Sequence, residues 1–276
     1  VCEVAEKSEI AWTDSTFNGW IGCTKVSPAC DHCYAESLSK RWMGVKWGPG
    51  EERRRTTASN WRKPVKWNRE AEATGVRRRV FCASLADVFD AEVPEHWFTD
   101  LLKLIDDTPH LDWQLLTKRP KIARKRMPDQ PRANIWLGTT VENQEMAAVR
   151  IPHVLETPAV IRFLSMEPLL GPVDLFRVNS GQFHFNALSK KEGLAYRTTG
   201  IDWVICGGES GHGARTMPVE WAKGIQQQCA TAWVPFFMKQ LSQADSRTYG
   251  QFDAFPGDLQ VREFPVTQTQ VSACPL

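Results

Sequence analysis

The sequence predicts an α/β fold on parallel strands, a partial or complete (β/α) barrel with long insertions. Three observations predict it. Short, mostly continuous apolar runs recur through the chain, the pattern of strands buried on both faces. Segments of helical period lie between them, and strand–helix alternation implies parallel strands joined by right-handed crossovers. Polar residues follow each apolar run, at the strand ends where parallel sheets collect their chemistry.

The first strand is expected within residues 16–21, ahead of a cysteine-rich loop, and a helix over 34–42 follows that loop. Residues 80–83 give the second strand. A helix over 94–107 puts Trp97, Leu101, Leu104 and Ile105 on one face, with Pro94 suited to its first turn. Strands over 113–116 and 135–138 flank a short basic helix over 121–127. The helix over 143–150 is expected to break or restart at Pro152. Strands over 160–164, 203–206 and 235–238 complete the set, with a helix over 218–233 before the last. Residues 1–240 thus carry the barrel. Insertions are expected at 44–79, rich in Arg, Trp and Gly, and at 174–200, with Asn179-Ser180-Gly181 and a Lys190-Lys191 pair. Both are candidates to cover the site. Residues 241–276 read as a smaller C-terminal extension.

Composition narrows the function classes. The chain has 276 residues, ordinary apolar and charged fractions and a net charge of only +2, so no global polyanion signal exists. No apolar run is long enough to span a bilayer, no signal-peptide pattern is evident, and a cytoplasmic location is expected. Eight cysteines in a chain of this length suit metal or redox chemistry better than a disulfide framework. Basic clusters at Arg53–Arg55, Arg77–Arg79 and 118–126, interleaved with Trp42, Trp47, Trp61 and Trp67, suit phosphate gripping and base stacking. A solvated helix face explains such runs equally well.

The chemistry concentrates in Cys23, Cys30 and Cys33. Cys30 and Cys33 form a C-x-x-C pair, and Cys23 lies a loop upstream with Pro28 between. Structural zinc usually takes four closed ligands. His32 or Cys2 would have to supply the fourth here, and buried structural thiols are the plain alternative. Three thiolates instead suit an iron–sulfur cluster with one iron left open, since closed clusters use four. Beyond the loop, polar groups recur at strand ends: Cys82, Ser84 and Asp87; Thr117, Lys118 and Arg119; Thr139, Thr140 and Glu142; Glu167; Gly207-Gly208-Glu209; and Lys239 and Gln240. Any one of them could be a helix cap or a tight turn. Their repetition makes a pocket at that end of the sheet.

These residues resemble a known superfamily. A three-cysteine loop after the first strand of a (β/α) barrel looks like the radical S-adenosylmethionine superfamily, and Cys30-x-His32-Cys33 is similar to its cysteine–x–aromatic–cysteine ending. The gap between Cys23 and Cys30 is wider than usual. The segments Trp12 to Glu36, Phe81 to Phe89, Leu115 to Pro120, Leu137 to Glu142, Ser165 to Pro172 and Gly207 to Gly211 look like a phage- and bacteria-associated three-cysteine-motif family. Cys-Tyr-Ala and Thr-Lys look most like the spore photoproduct lyase branch. The resemblance implies a radical-SAM-type barrel whose Cys23, Cys30 and Cys33 hold a 4Fe-4S cluster. S-adenosylmethionine would bind the open iron and be cleaved to a 5′-deoxyadenosyl radical. By the same resemblance Lys118 holds the cofactor carboxylate, Tyr34, Ser84, Asp87 and Thr139 contact the cofactor, and Cys82 is a candidate hydrogen donor. Glu142, Glu167, Glu209 and Lys239 are expected as further pocket residues. The implied partners are a nucleic acid or nucleobase substrate and an electron donor such as a flavodoxin or ferredoxin. A small metabolite or peptide substrate, and a non-catalytic zinc- or cluster-stabilised nucleic-acid-binding protein, remain the alternatives.

Overall fold

The computed structural model describes residues 7–181, 183–189 and 200–266. The chain divides into two compact units, Val1–Gly138 with Thr157–Ala159, and Thr139–Glu156 with Val160–Leu276.

In the first unit, β1 (Ser15–Thr16) and β2 (Trp20–Ile21) stand where one strand was expected. The chain turns at Asn18-Gly19, so β1 pairs parallel with a central strand while β2 pairs antiparallel with β3. Helix α1 (Tyr34–Leu38) follows the cysteine loop and passes into a π-helical turn, Ser39–Met43, that ends at left-handed Gly44. Next come β3 (Arg54–Arg55) and α2 (Ala58–Thr74). Helix α2 lies inside the expected insertion. The Thr57 hydroxyl accepts from the Asn60 N–H and caps its start, and Gly75 at φ +69° closes its end. Its buried stripe is Asn60, Pro64, Trp67 and Ala71, a helical spacing carried by residues that do not read as an apolar pattern. Then follow β4 (Arg78–Cys82), α3 (Glu95–Asp106), β5 (Leu111–Thr117), α4 (Pro120–Arg126) and the start of β6 (Ile135–Thr140). β4 pairs parallel with both β1 and β5. Phe17, Trp20, Trp67, Val80, Phe98 and Trp113 share the core, with Phe17 edge-on to Trp113 at 5.6 Å.

The second unit holds the end of β6, α5 (Gln144–Glu156), β7 (Ile161–Met166), the hairpin β8 (Val178–Asn179) and β9 (His184–Phe185), β10 (Trp203–Gly207), α6 (Val219–Ala232) and β11 (Phe236–Gln240). β10 pairs parallel with β7 and β11. Helix α5 runs through Pro152 instead of breaking there. A proline inside a helix costs about 3 kcal/mol, and Ala147, Ile151 and Val154, all buried on this helix, oppose that cost.

The seven longer-range strands form one sheet in the order β1-β4-β5-β6-β7-β10-β11, consistent with a partial (β/α) barrel. Up to residue 266 the expected C-terminal extension packs on the second unit. Val261 accepts from the Met238 N–H at 2.8 Å, Glu263 accepts from the Trp203 indole at 2.9 Å, and Phe255 and Leu259 join the core of this unit. Cys2, the Lys190-Lys191 pair and the last ten residues lie outside the described residues. No helix among the described residues is long and apolar enough to cross a membrane.

Candidate functional site

The cysteine loop leaves β2 at Gly22, whose N–H donates to the Leu85 carbonyl at 3.0 Å and whose backbone bridges Ala86 in parallel. Gly22 has φ +112°, and a Cβ there would meet the Arg53 side chain at 3.0 Å, so glycine suits this turn. That single bridge lays the start of the cysteine loop beside the segment leaving β4, residues 83–87. Sequence position alone separates them widely.

Asn18 fixes the β4 exit. Its amide oxygen accepts from the Leu85 N–H at 2.8 Å, and its Nδ2 donates to the Ser84 hydroxyl at 3.1 Å. The Tyr34 hydroxyl donates to the Ser84 carbonyl at 3.2 Å while its ring stays exposed. Asp87, buried at the same exit, accepts from four donors. The Phe89 N–H (3.0 Å) and the Thr117 hydroxyl (2.7 Å) reach Oδ1; the Lys118 N–H (2.9 Å) and Arg119 Nη1 (3.0 Å) reach Oδ2. Such a carboxylate has few lone pairs left for a ligand. Asp87 therefore ties the β4 exit to the β5 exit and sets Lys118 and Arg119 in place.

Arg119 completes the link. Its side chain is only 9% exposed. Nη2 donates to the Thr24 carbonyl at 2.7 Å and Nη1 reaches Cys23 Sγ at 3.5 Å. Arg53, fully buried, holds the same dipeptide from another direction through the Thr24 hydroxyl at 2.6 Å. It also pairs with Asp90 at 2.8 Å and Glu92 at 2.6 Å. Burial pushes the Cys23 thiol up to about 12, nearby Asp87 adds to this, and the Arg119 guanidinium opposes it. Cys30 ends a short 3-10 turn (Pro28–Cys30) and Cys33 is the residue before α1; both are half-buried.

The structure thus brings Cys23, Tyr34, Ser84, Asp87 and Lys118 onto one set of neighbouring strand exits. Cys82 is different. It is 1% exposed within the apolar core, where burial raises its thiol well above the ordinary value.

The remaining expected residues belong to the second unit. Thr139 is fully buried, and Glu142 is buried against Arg150 at 2.6 Å. Neither side chain is exposed, and Glu142 Oε1 is buried without a hydrogen-bond partner. Glu167 pairs with Lys239 at 2.6 Å, joining the exits of β7 and β11. Gly207, ending β10, is so close that a Cβ would lie 3.4 Å from both Glu167 and Gln240. Glu209 accepts from the Arg215 N–H and Nε, each at 2.9 Å, and also contacts Nη2.

The basic clusters are mostly spent internally. Arg53 is buried as above. Arg55 pairs with Asp100 and lies over Trp61, Arg77 pairs with Asp112, Arg78 with Glu70, and Arg79 with Asp14. Trp67 is core. Lys121 and Lys125, on α4 directly after Lys118-Arg119, are exposed.

The donor chemistry of the loop fits an iron–sulfur cluster: Cys23, Cys30 and Cys33 are free thiols on one short loop, none wholly buried. Among the described residues no three His, Cys, Asp or Glu side chains are already drawn together to hold a metal ion. Sequence reasoning passed over Asn18 and Asp90, which carry no motif or charge-run signal; it placed Arg53 only in a basic cluster, and Arg119 both in a basic cluster and at the strand end after Thr117-Lys118.

No curated protein and no solved structure matches the chain at a significant level. A family of proteins of unknown function, DUF5131, matches residues 7–263. Nearly the whole described fold, cysteine loop and strand exits included, lies in that match, and the chain belongs to this family.

Proposed function

We propose that the chain is a radical S-adenosylmethionine enzyme of the three-cysteine-motif kind, closest in pattern to the spore photoproduct lyase branch, acting on a nucleic acid or nucleobase. The observation that carries this reading is the convergence of the cysteine loop on the exits of β4 and β5: Arg119 touches Cys23, Thr24 and Asp87 at once. Cys23, Cys30 and Cys33 would hold the cluster. Bound there, a reduced 4Fe-4S cluster with S-adenosylmethionine supplies an organic radical able to abstract hydrogen from an unactivated carbon.

The chain's own residues would bind and orient. Lys118, half-buried at the β5 exit with its N–H fixed by Asp87, offers an ammonium for the cofactor carboxylate. Tyr34, anchored through its hydroxyl to the Ser84 carbonyl, presents an exposed ring beside the cysteine loop. Ser84 offers a hydroxyl that Asn18 orients. Asp87 acts through others, by holding Lys118 and Arg119. Exposed Lys121 and Lys125 on α4 would meet phosphates next to the site. A flavodoxin or ferredoxin would be the electron donor.

One observation favours a second reading. Arg53, Arg77 and Arg79 are paired inside the unit and are not spare cations for a polyanion. That suits a small metabolite or peptide substrate with the same radical chemistry.

The test is anaerobic reconstitution with iron and sulfide, then dithionite and S-adenosylmethionine, with assay of 5′-deoxyadenosine. Product lost in Cys30→Ala supports the enzyme reading. A colourless zinc-loaded protein making none refutes it. Salt-sensitive binding of DNA or RNA, weakened by Lys125→Glu, supports the nucleic-acid substrate; no binding at low salt selects the second reading.

A further inference from the structure

We infer that Arg119 is a positioning residue that fixes one cysteine of the three, Cys23, and sets a positive charge against its sulfur. The inference deepens the cluster reading above, and its redox half rests on that reading.

The geometry is asymmetric. Cys23-Thr24 is gripped from two sides, by Arg119 at the Thr24 carbonyl (2.7 Å) and the Cys23 sulfur (3.5 Å), and by Arg53 at the Thr24 hydroxyl (2.6 Å). Both guanidinium groups are themselves held. Arg119 rests on Asp87 at 3.0 Å and lies 3.8 Å from Asp90, and Arg53 rests on Asp90 at 2.8 Å. Asp90 is shared, so the two arginines form one braced frame. Gly48 closes the same corner, its N–H donating to the Cys23 carbonyl at 3.1 Å while its own carbonyl accepts from Arg53. By contrast, the Cys30 N–H donates to the Ser27 carbonyl and the Cys33 carbonyl accepts from the Ser37 N–H, both local bonds.

A chelating loop needs one fixed donor so that the remaining donors close on a defined point. The frame supplies it at Cys23. A lysine could not replace Arg119, because one ammonium cannot reach a carboxylate, a carbonyl and a sulfur with the planar fork that three such acceptors engage here. The charge has a second consequence. A cation against a cluster sulfur stabilises the more negative, reduced form and so raises the reduction potential.

The experiment compares wild type, Arg119→Gln and Arg119→Lys as full-length chains. Amide hydrogen exchange over residues 22–27 is measured in metal-free protein, and the midpoint potential is measured by redox titration after anaerobic reconstitution. Arg119→Gln is expected to exchange about tenfold faster over 22–27, the consequence of losing a charge-assisted bond, with the core amides of β5 unchanged. Its cluster is expected to titrate at a more negative potential. Arg119→Lys keeps the charge without the fork, so it should loosen the loop yet hold a potential near that of wild type. It carries the test if the glutamine variant does not fold. Unchanged exchange over 22–27 in the lysine variant overturns the positioning role. A potential in Arg119→Gln equal to wild type overturns the charge role. A loop loosened in the variants, together with a wild-type protein that takes up no iron, upholds the positioning role and sinks the cluster reading instead, so the two failures are separable.

Discussion

Asp87→Asn is the substitution whose cost the structure specifies most closely. The side chain changes little in shape and loses its charge, and one of its two acceptor atoms becomes a donor. If the amide oxygen stays toward Phe89 N–H and the Thr117 hydroxyl, the new NH2 faces the Lys118 N–H and Arg119 Nη1, donor against donor. The flipped amide strands the other pair. One orientation loses a charge-assisted bond, worth about 1.5–3 kcal/mol, and leaves a buried N–H unsatisfied for about 1–3 more. The Asp87 and Arg119 side chains are 8% and 9% exposed, so solvent replaces little of this. Breaking such a buried pair from one side costs about 3–5 kcal/mol, and that is the expected loss.

Because the chain divides into two units, a single global transition is not assured, and a local readout is needed. Amide exchange at Lys118 and Phe89 reports directly on the two donors that Asp87 satisfies. Both amides should lose protection in Asp87→Asn, alongside a lower urea midpoint. Asp107→Asn is the control: its pair with Lys103 is exposed on α3 and should leave the midpoint where it was. If Lys118 and Phe89 stay protected and the midpoint moves by less than about 1 kcal/mol, the bracing role given to Asp87 is wrong.

Three further outcomes are expected. Gly208→Ala places a methyl 2.5 Å from the Ser242 nitrogen and 2.6 Å from its Cα, so backbone must shift; the loss should be about 1–3 kcal/mol or more in thermal unfolding, with Gly207→Ala, meeting nothing closer than 3.4 Å, much milder. Glu142→Gln should cost about 3–5 kcal/mol by stranding buried Arg150, and the Glu142→Leu/Arg150→Leu pair should recover most of it in the same assay. Burial raises the Asp14 carboxyl, but Arg79 outweighs that through its hydrogen bonds and charge and leaves it below the ordinary 3.8. A lowered carboxyl stabilises the fold above its unfolded value and loses that contribution as pH falls through the lowered one. Asp14→Asn should therefore be slightly less stable at neutral pH, by about 1 kcal/mol or less given its partial exposure. Urea midpoints should show the difference begin to shrink near the unfolded value of 3.8 and vanish only below the lowered one.

The parallel strands were legible because their composition is extreme. Residues 113–116, 135–138 and 203–206 are mostly apolar runs, interrupted at Gln114, and each lies inside an observed strand. Helix α2 was not legible. Its stripe runs through Asn60 and Pro64, and Asn60 is buried because it donates to the Asn18 carbonyl at 2.9 Å. That contact between distant residues is invisible to periodicity. The first strand split for a related reason: Thr56 and Asn60 pull the Asn18-Gly19 backbone out of line, and β2 turns to pair with β3. Pro152 misled in the opposite direction, since a local penalty was outweighed by burial on both sides of it.

The site residues separate in a more instructive way. Asp87 and Lys118 were picked as ligand contacts of the same kind, polar groups at strand exits. The structure separates them: the carboxylate of Asp87 is saturated by four donors, whereas Lys118 is held through its backbone N–H and its side chain is only half-buried. Arg53 and Arg119 likewise stood in basic clusters that suited either phosphate gripping or a solvated face, Arg119 also at a strand end, yet both are the most deeply engaged cations around Cys23. What distinguishes a structural from a ligand-facing polar residue is how many of its bonds the protein itself already satisfies, and only long-range contacts fix that number. The 31-residue step from Asp87 to Lys118 and the 95-residue step from Thr24 to Arg119 are such contacts. Residue type at a strand end therefore finds the site, while the division of labour within it is set by folding. By that criterion Lys118, Tyr34 and Ser84 are the residues of this group to substitute in search of ligand effects, and Asp87, Asn18 and Arg53 are those whose loss should register first as stability.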